Sequence, residues 1–151
     1  MQTATFDTVA SLAGQEIGVS DWLEITKDRI NQFADATGDH QWIHVNVEMA
    51  KQMMPGGKTI AHGYLTLSLI PGLTGGMLRI DGVTRGINYG SNKVRFTNMV
   101  PVGSKVRARQ KLLSAEPRKD GGMQLTNEVT IEIEGQTRAA CIAETISLIY
   151  K

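Results

Sequence analysis

Residues Thr59–Leu78 read TIAHGYLTLSLIPGLTGGML, and the fold class turns on how this run is read. Ala61, Leu65, Leu69 and Leu73 recur every four residues and share one side of a helix. Apolar residues cover most of the remaining circumference, so such a helix belongs inside a protein rather than on its surface. Its most apolar part, Tyr64–Leu73, is about half the length that crosses a bilayer. Pro71 within it predicts a bend.

Downstream of Gly82 the pattern changes to period two. Gly86–Phe96, Lys105–Glu116, Met123–Glu134 and Thr137–Tyr150 read as strands separated by PVG, KDGG and EGQ turns. Ile131 and Ile133 alternate with Glu132 and Glu134, as on a sheet with one dry face. Upstream, TFDTVASLAGQEIG predicts a short N-terminal helix closed by a glycine turn, followed by a strand over Gln15–Trp22. Thr26 is an N-cap for an amphipathic helix carrying Ile30, Phe33 and Ala34, and Gly38 ends it. Asp39–His44 then begin as irregular backbone, a second short helix covers Asn46–Met53, and PGGK at Pro55–Lys58 forms a loop. Helices first and antiparallel strands after predict an α+β domain, with one apolar helix lying against a curved sheet.

The chain has 151 residues with a net charge of +1, which suits one domain, residues 1–151, and offers no basic excess for nucleic acid. No basic start leads into an apolar run, so neither a secretory signal nor a membrane span is expected. The single cysteine, Cys141, cannot form an internal disulfide and lies in a strand pattern, which suits buried packing in a reducing, cytoplasmic setting.

Two polar interruptions carry the chemistry. The first is GDHQWIH, Gly38–His44, which holds two of the three histidines. If the turn after Gly38 folds back, Asp39 and His44 converge on one water, an arrangement suited to acid–base work near neutrality. On residue types alone a structural reading stays open, with Asp39 as a cap and His44 as a hydrogen-bonded core residue. His40 and His44 stand four apart, like two ligands on a helix, but Gly38 has already ended that helix. Neither an HExxH sequence nor a cysteine cluster accompanies them, and no metal is expected. No serine sits in a G-x-S-x-G elbow.

The second interruption is AHGYL. Gly63 at the start of a buried helix presents a free backbone N–H at the positive end of the helix dipole, able to meet charge developing on a carbonyl oxygen. Simple helix–sheet packing is the alternative. In KVRARQK, Lys105, Arg107, Arg109 and Lys111 share one strand face, either solvated or a landing strip for phosphates or an acidic carrier protein. Met49, Met53, Met54 and Met77 suit core or dimer packing, or an adaptable acyl pocket.

FADATGDHQWIHVNVEMA (Phe33–Ala50), TIAHGYLTLSLIPGL (Thr59–Leu73) and INYGSNKVRFTNMVPVGSKVRA (Ile87–Ala108) together resemble the MaoC-like (R)-specific enoyl-CoA hydratases, in their NodN-like branch. That resemblance implies a hot-dog fold, a long helix wrapped by an antiparallel sheet, and a homodimer with a sheet continuous across both subunits. It implies that Asp39 and His44 are the catalytic pair and that the Gly63 N–H receives the thioester oxygen. It also implies reversible hydration of a trans-2-enoyl-CoA to an (R)-3-hydroxyacyl-CoA, with acyl-CoA or acyl-carrier-protein thioesters as substrate and no cofactor. Dehydration of 3-hydroxyacyl carrier-protein thioesters and a non-catalytic acyl-binding dimer are the rival readings. The family commonly has Asn-Pro where this chain has Gln41-Trp42.

Overall fold

The computed structural model describes residues 1–151. Strand β1 (Gln2–Thr5) precedes a single 3-10 turn at Val9–Leu12, where the sequence predicts a longer helix. The Thr5 N–H donates to Thr8 Oγ1 at 2.9 Å and the Thr8 N–H to Thr5 Oγ1 at 3.2 Å, a local exchange that competes with helix formation. Short strands β2 (Glu16–Val19) and β3 (Leu23–Glu24) follow.

Helix α1 (Lys27–Thr37) starts and stops as the sequence predicts. Thr26 Oγ1 accepts the Arg29 N–H at 3.1 Å, and Gly38 takes a left-handed φ of 80° while its N–H bonds the Ala34 carbonyl at 2.8 Å. Trp42–Val45 form one helical turn, α2, within the stretch expected to be irregular. Helix α3 (Val47–Met53) is capped by Asn46 Oδ1, which accepts the Met49 N–H at 3.0 Å.

The central helix is shorter than predicted and comes in two pieces, α4 (Gly63–Ser68) and α5 (Ile70–Thr74). Thr59–Ala61 stay extended because other partners claim their backbone. The Ile60 N–H bonds Ile43 O at 3.0 Å, and the Ala61 N–H bonds Val100 O at 2.8 Å. Pro71 has no N–H to give the Leu67 carbonyl, which accounts for the break at Leu69. Past Gly75 and Gly76 the chain enters β4 (Leu78–Asp81), which pairs in parallel with β1.

Strands β5 (Arg85–Arg95), β6 (Lys105–Pro117), β7 (Met123–Ile133) and β8 (Cys141–Tyr150) build the main sheet. It has six strands in the order β2-β6-β7-β8-β5, with β3 also on β6. β8 begins later than predicted because the Gly135 turn is followed by irregular backbone. Val106, Ala108, Val129, Ile131 and Ala143 line the buried face, over which α4 and α5 lie. Alanine at 108 and 143 leaves room for the helix to approach. This is the expected α+β hot-dog architecture. Cys141 is buried, and desolvation raises its thiol pKa to about 11, which makes it inert packing. No helix is long and apolar enough to cross a membrane.

Candidate active site

The Gly38 turn brings Asp39 back over the start of the central helix. Asp39 Oδ1 accepts the Gln41 N–H at 3.3 Å, an Asx-type turn that launches α2. His44, on α2, points inward and its Nδ1 meets the Ile60 carbonyl at 2.8 Å. Lys27 Nζ donates to the His44 carbonyl at 2.6 Å and fixes the end of that helical turn. One carboxylate oxygen of Asp39 and one ring nitrogen each of His44 and His62 lie within 4.8 Å of one another. Thus Asp39 and His44 converge, and His62, to which the sequence assigned no role, joins them.

Proton positions follow from the partners. A carbonyl oxygen only accepts, so the ring nitrogen facing it carries the hydrogen. His44 Nδ1–H therefore donates to Ile60 O, and in the neutral ring Nε2 keeps its lone pair. His62 Nε2–H likewise donates to Asp39 O at 3.0 Å, and its Nδ1 is buried without a partner. His62 so pins the Asp39 backbone and aligns the carboxylate's loop. Burial lowers the His44 pKa from its ordinary 6.5; the Ile60 carbonyl opposes this shift and the adjacent His62 reinforces it. A neutral His44 with a free Nε2 is a competent proton acceptor at neutral pH.

Three such ligands invite a metal, but their geometry does not fit one. The His44 and His62 rings stack with centroids 3.8 Å apart at 24°, so their in-plane lone pairs project side by side instead of converging on an ion. His40, the other partner in the predicted four-residue spacing, lies on the surface with Nε2 2.9 Å from Asp35 Oδ1.

Gly63 is the first residue of α4, where no carbonyl one turn back claims its N–H. A cavity of about 450 Å³ borders it, walled by His44, Gly63, Thr66, Phe96, Met99 and Arg138. Trp42 is not among its walls. A Cβ on Gly63 would lie 2.8 Å from the Phe96 ring, so glycine is required here by packing as well as by access. Arg138 and Phe96 were missed because they come from a loop and a strand end that only the fold brings to the helix.

Half of the predicted basic strip is ion-paired, while Lys105 and Lys111 are exposed and make no ion pair. Arg107 Nε reaches Glu132 Oε2 at 2.8 Å, and Arg109 bridges Glu132 Oε1 at 2.7 Å and Glu16 Oε1 at 2.6 Å.

A family model described as the MaoC like domain matches residues 8–133. The chain is 52% identical to 3-hydroxyacyl-thioester dehydratase Z of Mycobacterium tuberculosis (strain ATCC 25618 / H37Rv), covering 94% of this chain and 95% of that protein. It is 44% identical to nodulation protein N of Rhizobium leguminosarum bv. viciae, covering 99% and 93% respectively. Among solved structures, an (R)-hydratase from A. caviae involved in PHA biosynthesis superposes with a TM-score of 0.71 at 24% identity, over 89% of this chain and 94% of that one.

Proposed function

From the premise that the chain belongs to the MaoC-like domain family, we infer that this hydro-lyase is an (R)-specific enoyl-CoA hydratase. The observation that carries the reading is the convergence of Asp39, His44 and His62 within 4.8 Å, beside the unclaimed N–H of Gly63. The names of its relatives, a 3-hydroxyacyl-thioester dehydratase and an (R)-hydratase, support thioester hydro-lyase chemistry.

In this mechanism the thioester carbonyl oxygen accepts the Gly63 N–H. One water is held between the Asp39 carboxylate and His44 Nε2. His44 Nε2 takes a proton from that water as its oxygen bonds C3, and the C2–C3 π electrons move into an enolate. The enolate charge meets the Gly63 N–H and the positive end of α4. As the enolate collapses, the imidazolium returns a proton to C2, so the water is consumed and both catalytic groups are regenerated. Asp39 orients the water and stabilises the transient imidazolium, and the two act as a coupled pair. The substrate's own carbonyl acidifies C2, and no cofactor enters the scheme.

Exposed Arg138 at the cavity wall supplies positive charge for the nucleotide phosphates of CoA. The ion-paired state of Arg107 and Arg109 gives little support to docking an acidic carrier protein there. The active unit in this reading is a homodimer. β5 is a sheet edge whose apolar side chains Ile87 and Tyr89 are 46% and 59% exposed, a liability that pairing with a second β5 removes.

The test is crotonyl-CoA hydration by Asp39→Asn and His44→Gln variants. Each should lose about 10²–10⁴-fold in kcat with unchanged circular dichroism. The double variant should lose far less than the product of the single losses. Near-normal turnover by either single variant rejects the assignment.

A further inference from the structure

A second cavity of about 620 Å³ lies further along the central helix, within the size range of small-molecule sites. Gly63 and Thr66 wall the first cavity; Leu67, Ile70 and Thr74 wall the second. Leu69 keeps right-handed helical angles between the two pieces, so these residues form one stripe that leads from the first cavity towards the second, which Ser68 and Pro71 widen around the neighbouring side of the helix. From Gly63 to Ile70 the stripe advances roughly 10 Å. An acyl chain whose thioester oxygen sits at Gly63 and whose tail follows this stripe enters the second cavity.

The opposite wall is the inner face of the sheet, and it is unexpectedly polar. Val129 and Ala143 pair across β7 and β8 in the apolar core, but the register then places Asn127 opposite Thr145, and Thr145 opposite Ser91 of β5. In the adjacent row Ser147 faces Asn88. Asn127 is only 7% exposed. Gln110 Nε2 donates to Asn127 Oδ1 at 3.1 Å, which leaves the Asn127 Nδ2 donors and the Gln110 carbonyl free to face the cavity. The Ser68 and Thr74 hydroxyls are committed to Tyr64 O and Ile70 O within the helix, whereas Thr145, Ser147 and Ser91 make no such bond. A plain alkyl tail would leave this row of polar groups desolvated and unpaired, which is unfavourable.

We propose that the polar wall formed by Asn127, Gln110 and Thr145 selects acyl groups bearing a hydrogen-bonding oxygen, such as a hydroxyl, keto or ether group, in the distal part of the chain. The inference rests on the hydratase reading and narrows its substrate class. Specificity of this kind comes from the cost of leaving buried polar groups unpaired when the wrong substrate binds.

The experiment compares trans-2-enoyl-CoAs carrying an oxygen walked from mid-chain to tail, each against its alkyl analogue. At the best position wild type should favour the oxygenated substrate by about tenfold or more in kcat/KM. Asn127→Leu and, separately, the isosteric Thr145→Val should each reduce that ratio towards unity. Because the ratio is internal to each variant, a general loss of activity does not mimic the result. Wild type that hydrates crotonyl-CoA yet shows no oxygen preference at any position overturns this inference alone. A preference unchanged in both variants, with a weakened dimer by light scattering, assigns the stripe to the subunit contact and also overturns it. Failure to hydrate any enoyl-CoA removes the hydratase reading and this inference together.

Discussion

Gly63 and His44 are each held by a specific neighbour, and each neighbour sets an outcome. Alanine at 63 would drive a Cβ to within 2.8 Å of Phe96, and overpacking of this kind costs about 1–3 kcal/mol. Gly63→Ala should therefore destabilise the fold in urea melts, and Phe96→Ala should make the same change nearly neutral. A neutral single variant would show that the ring swings aside freely. For His44, burial depresses the folded-state pKa below 6.5, so between those two values the unfolded chain binds the proton more readily. The stabilising contribution of a neutral His44 is complete above pH 6.5 and is lost as pH falls towards the folded value. Melts from neutral to mildly acidic pH should show wild type losing more stability than His44→Gln; equal losses would place the titration elsewhere. The convergence of Asp39 and His44 and the helix-start position of Gly63 were legible because a helix-stopping glycine and a His-Gly pair interrupt apolar runs. His62 was visible as an oddity without a role, since its bond to the Asp39 carbonyl spans residues far apart in sequence.

The elements show where local pattern suffices and where it does not. α1 and the four long strands were legible because caps, glycine stops and period-two alternation are local signals. β1 and β4 were not, because each is a short strand whose partner lies more than seventy residues away. The central helix read too long for a related reason: the Thr59–Ala61 backbone bonds to Ile43 and Val100, not along its own axis. Pairing also decides the role of β6. Glu132 lies between Arg107 and Arg109 at the sheet surface, and partly exposed pairs of this kind contribute only about 0–1 kcal/mol each. Arg107→Ala should leave the KM for crotonyl-CoA unchanged, whereas Arg138→Ala should raise it several-fold with little change in kcat, as loss of uniform binding does. A reversed pattern in steady-state kinetics would return the nucleotide site to β6.

The whole molecule is a sheet with one finished edge and one unfinished edge. β2 and β3 are short, whereas β5 runs the full length of the sheet with Ile87 and Tyr89 exposed. Phe96, immediately after β5, walls the candidate-site cavity, so pairing along β5 would bear directly on the shape of that cavity. Tyr89→Asp should give a monomer in light scattering with reduced hydration, and a fully active monomer would separate assembly from catalysis. The polar inner stripe at Asn127 and Thr145 was present in the sequence as breaks in otherwise apolar alternation, but only the strand register aligns those breaks into a surface. The central claim is that this constellation adds water across an enoyl thioester. Its most direct test is chiral analysis of what wild type makes from crotonyl-CoA. The expected product is (R)-3-hydroxybutyryl-CoA with the thioester intact; free CoA, the (S) alcohol or unchanged substrate would contradict it.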